Sequence, residues 1–287
     1  MDDEIRKISE NDGEFPNCLR TIPSRPKEIY TRGLLNLNLP SVAVIGARVP
    51  TDYGKQAAYD IAINLARAGV CIISGLAVGI DSIANAAAIE GGAPTIGVLG
   101  TGLDDKTFFP KQNLALAHKI ISAGGCLVSE YPTGFRATNY SFPRRNRIIA
   151  GLSLAVIVVE AKEGSGSLIT ADWGFKQHKL VFAVPGPIYS ANSRGCHWLL
   201  KNGALLCESA SDILDALGLA APAKKIIVNV GADEQKILDI LANGALDTDR
   251  IIKISGLKTK TVASLLPVLE IKELIHNLGN GKYSLNQ

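Results

Sequence analysis

Six short apolar runs recur along the first two thirds of the chain, at 42–45, 70–73, 94–99, 126–128, 154–159 and 180–184. Each run is continuous rather than alternating, which is the pattern of strands buried on both faces. Helix-like segments separate or follow them, at about 51–68, 79–90, 111–123, 145–152, 166–178, 194–202 and 210–217. Strand and helix taking turns in this way predicts an α/β fold, an extended Rossmann-like, parallel, doubly wound sheet over 41–219. The preceding 1–40 is punctuated by Pro16, Pro23, Pro26 and Pro40 and reads as an extended lead-in arm or small cap outside the sheet.

The pattern changes after 219. Residues 220–225, Ala-Ala-Pro-Ala-Lys-Lys, read as a linker, and 226–287 as a small second domain. That domain predicts a helix at 232–242, a second at 248–254, a turn at Ser255-Gly256-Leu257 and a third from Lys258 to about Leu269. Two strand-like pieces follow around Gly279-Asn280-Gly281, so the whole describes a winged helix. From residue 224 onward there are nine Lys/Arg and seven Asp/Glu, a weak charge for a duplex reader. Pro267 within the third helix also argues against a groove-reading helix, so a protein-contact role is expected ahead of duplex binding.

Composition narrows the class. The chain has 287 residues, 47% of them hydrophobic, and a formal net charge of +3, so a site for a polyanion has to be local. Its charged N-terminus and the lack of a membrane-length apolar run predict a cytoplasmic protein without membrane association. The five cysteines lie far apart and read as reduced thiols, and the four histidines have no metal-ligand spacing, so neither metal nor cofactor is expected.

Ligands of open parallel sheets bind beyond the carboxyl ends of the strands, and here those ends are rich in glycine and hydroxyl groups. They read Gly46-Ala47-Arg48, Ser74-Gly75 through Gly79-Ile80-Asp81, Gly100-Thr101-Gly102, Ser129-Glu130-Tyr131-Pro132, Glu160 through Ser167, and Pro185-Gly186-Pro187. Arg48 stands where a dinucleotide fingerprint needs its second glycine, there is no P-loop, and Gly164-Ser165-Gly166-Ser167-Leu168 lacks the spacing of a nucleophile elbow. The plainer account is that Ser165, Gly166 and Ser167 cap a helix and grip an anion. Asp81 and Glu160 are the acids expected near the cleft, either as catalytic carboxylates or as partners of Arg48 or of the 144–147 arginines.

The stretch 131–159 carries Arg136, Arg144, Arg145 and Arg147, the aromatics Tyr131, Phe135, Tyr140 and Phe142, and no acidic residue. Guanidinium forks beside stacking faces suit single-stranded nucleic acid, whose phosphates take Arg and whose unpaired bases take a ring. The competing account is a solvated set of arginines and core aromatics.

With these segments in order, the chain resembles the DNA-processing protein A family (DprA, also called Smf) over nearly its whole length. The resemblance rests on Ile45-Gly46-Ala47-Arg48, Ser74 to Asp81, Gly100-Thr101-Gly102-Leu103-Asp104, Phe109-Pro110 with Asn113, Ser129-Glu130-Tyr131-Pro132, Phe142-Pro143, Arg145 to Leu152, Glu160-Ala161 with Ser165 to Thr170, and Val181 to Gly186. It implies a non-catalytic protein that binds and protects single-stranded DNA and loads the RecA recombinase during natural transformation. Carried over by position, the DNA site is Arg48, Phe142, Arg145, Asn146, Arg147 and Lys162 with the amides around Ser165 and Gly166; the local reading adds Arg144 and Ser167. The resemblance also implies a homodimer through the C-terminal edge of the Rossmann-like domain, at His197, Leu200 and Leu206. Asn85 stands where the family usually has histidine and Ala47 where it often has serine, and the N-terminal helical domain of many members is not expected here. The alternative is a nucleotide-binding or phosphoribohydrolase-type Rossmann protein, which is disfavoured because Thr170 occupies the place of the glutamate in the loop of those enzymes. A third reading, a transcriptional regulator acting through the winged helix, is disfavoured by the weak charge there.

Overall fold

The computed structural model describes residues 4–219, 231–242, 244–272, 274–277, 279 and 281–285. It divides into two compact units, 1–222 and 223–287, so the expected linker 220–225 lies outside the described residues.

In the first unit the chain runs β1 (Ile5–Ser9), α1 (Asn17–Arg20), β2 (Glu28–Gly33), β3 (Ser41–Ile45), α2 (Asp52–Arg67), β4 (Cys71–Ser74), α3 (Ile80–Glu90) and β5 (Thr95–Leu99). It continues through α4 (Leu114–Ser122), β6 (Cys126–Ser129), α5 (Ser141–Leu152), β7 (Ala155–Val158), α6 (Gly166–Lys176), β8 (Leu180–Ala183), α7 (Arg194–Lys201), β9 (Leu205–Leu206) and α8 (Ala210–Ala216). Nine strands form one sheet in the order β1-β2-β6-β5-β4-β3-β7-β8-β9. From β6 to β9 every pairing is parallel, as the continuous apolar runs predict. Alternate residues of each run serve opposite faces. Ala43, Ile45, Ile73, Val98, Val128, Val156 and Val158 share a core with α1, α5, α6 and α7. Val42, Val44, Ile72, Ile157 and Val159 share the other with α2, α3 and α8.

The lead-in departs from expectation. It supplies two strands of the sheet, β2 antiparallel to β6 and β1 antiparallel to β2. Both are half-buried, β1 turning Ile8 inward with Arg6 and Lys7 exposed and β2 burying Ile29, Thr31 and Arg32, a pattern that the prolines obscured. Between them Leu19 of α1 packs so closely on α5 that a Cβ at Gly151 would lie 2.8 Å from its Cδ2. The lead-in is therefore part of the core. The edge strand β9 was also not expected. Helix α5 starts at Ser141, four residues earlier than its pattern suggests. The cause is local: Thr138 N–H donates to Ser141 Oγ, Ser141 N–H donates to Thr138 Oγ1, and Pro143 is tolerated in a first turn.

The second unit holds α9 (Ala232–Leu241), β10 (Leu246–Asp247), α10 (Thr248–Ser255), α11 (Thr259–Ile271), β11 (Ile275–Asn277) and β12 (Lys282–Leu285), with a sheet ordered β10-β12-β11. Its own core gathers Ile237, Leu241, Ile251, Val262, Leu266, Leu269 and Ile275. The α10–α11 corner turns at Gly256, whose φ of 65° is left-handed and suits glycine. Helix α11 runs unbroken through Pro267, which lies on the exposed side with Ala263, Ser264 and Val268. The proline thus does not spoil the helix; its outward face is simply uncharged there.

No helix among the described residues is long and apolar enough to cross a membrane. Cys71, Cys126, Cys196 and Cys207 are buried, and burial pushes each thiol up to about 12, while Cys18 is half-buried. A thiol that stays protonated and covered does not attack. Native protein titrated with Ellman's reagent at pH 8 should therefore label no more than Cys18 rapidly, and all five cysteines after denaturation. Rapid labelling of two or more native thiols would contradict this packing.

Candidate nucleic-acid interface

Strand β3 is flanked by β4 on one side and β7 on the other, so the sheet is wound one way from β3 to β6 and the opposite way from β7 onward. The loops leaving β3 and β7 lead to α2 and α6 on opposite faces, and a crevice opens between them. It is a cleft of about 280 Å³ lined by Gly46, Arg48, Ala77, Asp81, Arg145, Ile149, Ser165, Gly166, Ser167 and Thr170.

Its floor is made of backbone held by two buried charges. Asp81, in the first turn of α3, accepts from Gly75 N at 3.0 Å and Gly46 N at 3.4 Å, tying together the loops after β3 and β4. Ile80 N donates to Ala47 O at 3.1 Å, and at Gly79 (φ 88°) a Cβ would lie 2.4 Å from that oxygen, so only glycine allows the approach. Arg145 reaches down from α5 and donates through Nη1 to Gly75 O at 2.7 Å and to Val98 O. A Cβ at Gly75 would come within 2.6 Å of both Arg145 Nη2 and Asp81 Oδ2, so the missing side chain is what lets both charged groups pack against this turn. Burial pushes the Asp81 carboxyl up, opposed by the Arg145 charge; burial also pushes the Arg145 guanidinium down, to about 10.

The wall opposite is the start of α6. Ser165 caps it, accepting from Ser167 N at 3.3 Å and sharing a 2.6 Å hydrogen bond with Ser167 Oγ. Asn146 of α5 donates to Gly166 O at 3.1 Å and fixes the helix end against α5. Beside Gly166 there is open space, since a Cβ there would meet nothing within 4 Å. A helix start that faces open space carries the positive end of the helix dipole and is suited to an anion.

Arg48 stands exposed at the rim with its guanidinium carbon 5.9 Å from the centre of the Phe142 ring. Phe142 rests on Gly100, where a Cβ would be 2.9 Å from its Cδ1, and makes a tilted contact with Phe109 at 5.9 Å and 50°. Lys162 lies exposed in the loop from β7 to α6. Neither Arg48 nor Lys162 forms an ion pair among the described residues, so both charges are open to a ligand.

The other expected residues separate. Arg144 and Arg147 turn to Glu130: Arg144 Nε is 3.2 Å and Arg147 Nη2 2.5 Å from its carboxylate. Arg147 is only 1% exposed and also donates from Nε to Ser24 O at 2.8 Å. Helical phase explains the division, because Arg144 and Arg147 are three residues apart and share a side, whereas Arg145 and Arg147 lie about 200° apart. Counting arginines in the sequence missed both that phase and the partner, Glu130. Arg147 is thus a structural ion pair rather than part of the cleft. Tyr131 and Phe135 stack on each other at 4.1 Å and leave no shared open face.

Glu160 also departs from expectation. It accepts from Thr51 N at 2.9 Å, Thr51 Oγ1 at 2.5 Å and Asn192 Nδ2 at 3.1 Å, so it clamps the start of α2 and holds no arginine. Asn85 is fully buried and donates to Thr95 Oγ1 at 2.7 Å, a bond between α3 and β5 rather than a cleft contact. At the sheet edge, His197 Nε2 lies 3.0 Å from Gly186 O and Leu200 packs on the core, while Leu206 of β9 is 50% exposed.

Breaking the buried pair by Arg147→Ala should lower unfolding free energy by about 3–5 kcal/mol, because Glu130 would keep only the exposed Arg144 as its partner. Arg48→Ala, at an exposed unpaired site, should change it by about 0.5 kcal/mol or less. Urea unfolding of the two variants tests the contrast, and equal stabilities would overturn the division between structural and open arginines.

Comparison with known proteins places the chain in a family. The family model described as DNA recombination-mediator protein A matches residues 6–218, and that of the DprA winged helix domain matches 220–281. Protein Smf of Escherichia coli is 39% identical over 257 residues, covering 82% of this chain and 68% of its own length. For Smf of Synechocystis the chain spans only 57% of the relative's length. The X-ray structure of DNA processing protein A from Streptococcus pneumoniae superposes with a TM-score of 0.68 at 39% identity, covering 74% of each chain. A structure of DNA processing protein A from Helicobacter pylori, reported for that protein's single-stranded DNA binding mode, gives 0.65 at 30% identity, with 76% of this chain and 98% of the other covered. With both family models matching and the fold shared with these structures, this chain belongs to the DNA recombination-mediator protein A family.

Proposed function

We propose that this protein binds single-stranded DNA across the cleft at the sheet's switch point, and acts without catalysis as a recombination mediator that protects incoming strands and loads RecA recombinase. The observation that carries the reading is the pairing of an open anion cradle with an open cation and ring. The start of α6 and Lys162 receive phosphate, and Arg48 beside Phe142 receives phosphate and base together. Arg145 and Asn146 hold the floor and wall in place. Arg144 and Arg147 contribute through Glu130 to the stability of α5.

The carboxylates of the region support binding over hydrolysis. Asp81 is bound to two backbone amides and Glu160 to Thr51 and Asn192, and Thr170 lines the cleft where a phosphoribohydrolase would carry its glutamate. Dimerisation is proposed through the open edge of β9, where Leu205 and Leu206 present apolar side chains and only β8 is paired.

Anisotropy of a labelled oligo-dT strand against a duplex of equal length, across a salt series, tests the reading. With about four phosphate contacts, log affinity should fall with log salt at a slope of about −3 for the single strand. Arg48→Ala should remove about 0.7 of that slope, whereas Phe142→Ala should cost about 1–3 kcal/mol and leave the slope unchanged. A slope near zero, or binding indifferent to Arg48, would refute the assignment of the cleft. In parallel, Leu206→Glu should shift the sedimentation coefficient from dimer to monomer.

A further inference from the structure

One exposed aromatic beside the cleft has no part in the site as described above. Phe109 is 48% exposed although both of its structural neighbours are fixed. Phe108, immediately before it, is 1% exposed and anchors the loop in a core with Leu103 and Leu127. Upstream, Asp104 accepts from Thr107 N at 3.1 Å and from Gly134 N at 2.8 Å, closing the loop on itself and on the segment after β6. Arg32 of β2 adds a 3.1 Å bond to Leu103 O and a 2.6 Å bond to Asp105. An apolar ring of this size left half in water by a loop so firmly held gains nothing for folding from its exposure. A rigid aromatic does, however, give a binding partner contact area at little ordering cost.

Its position selects the partner. Phe109 lies 5.9 Å from Phe142, with the rings inclined at 50°, and Phe142 is in turn beneath the Arg48 guanidinium. The rings therefore offer two faces that are adjacent but not parallel. We propose that Phe109 is a second base-stacking platform, so that the site holds two consecutive bases of a single strand, splayed onto different rings instead of stacked on each other. The inference rests on the single-stranded DNA reading given above. Stacking on a ring is tolerant of base identity, so the platform adds affinity for unpaired bases without sequence preference. A duplex, whose bases are already stacked and paired, cannot use it.

The test measures affinity of wild type, Phe109→Ala, Phe109→Leu and Phe109→Trp for oligo-dT and for a fully abasic strand of the same length, in the same salt series. Phe109→Ala should weaken oligo-dT binding about fivefold or more with an unchanged salt slope, and leave abasic-strand binding within twofold of wild type. Phe109→Trp should restore the oligo-dT affinity and Phe109→Leu should not. Oligo-dT affinity within twofold of wild type in Phe109→Ala, or equal losses on both strands, would overturn the platform while leaving the cleft reading intact. Failure of the wild type to prefer the single strand over duplex would overturn that reading, and the platform with it.

Discussion

The site depends on one buried arrangement, the Arg145 guanidinium lodged against the carbonyls of Gly75 and Val98 with Asp81 alongside. Charge at this depth is costly unless it is surrounded by acceptors and an opposite charge, and all of them come from different elements: α5, the end of β4, β5 and the start of α3. The arrangement therefore fixes the carboxyl ends of the central strands relative to one another. Gly75 and Gly79 are the residues that let the backbone come close enough for it to form.

That economy of charge also decides what is left for a ligand. Asp81 lies near enough to Arg145 for the two charges to act on each other, Glu130 takes Arg144 and Arg147, and Glu160 is consumed at the start of α2. Arg48 at the crevice and Lys162 in the loop before α6 form no ion pair among the described residues, so open positive charge stands by this helix start although the formal net charge of the chain is only +3. A local site of this kind, flanked by Phe142 and Phe109, differs in character from the weakly charged, partly apolar outward face of α11.

The lead-in illustrates how the sheet protects itself. Without β1 and β2, the parallel sheet would end in an open β6, whose backbone groups would seek another strand. The two antiparallel strands cover that side, and α1 between them closes the core over α5. At the opposite edge β9 is only two residues long and carries exposed leucines. The two edges thus differ in character: β1 ends the sheet with exposed Arg6 and Lys7, whereas β9 ends it with exposed leucines.

By itself the sequence determined the doubly wound core, the glycine- and serine-rich strand ends and the second unit's helix pattern. These are local signals: continuous apolar runs for two-sided burial, and turn residues that tolerate only certain backbone geometry. Arg48, Phe142 and the Ser165–Ser167 helix start were legible for the same reason, since each sits in a short motif that a strand end places. Which arginines stay open was not legible, because helical phase and a partner such as Glu130, fourteen residues before Arg144, set their direction. Nor were the roles of Glu160, Asn85 and the lead-in strands, each of which depends on contacts between segments far apart in the chain. Only tertiary structure brings those segments together, and only there does a charge become either a structural pair or a free hand for a ligand.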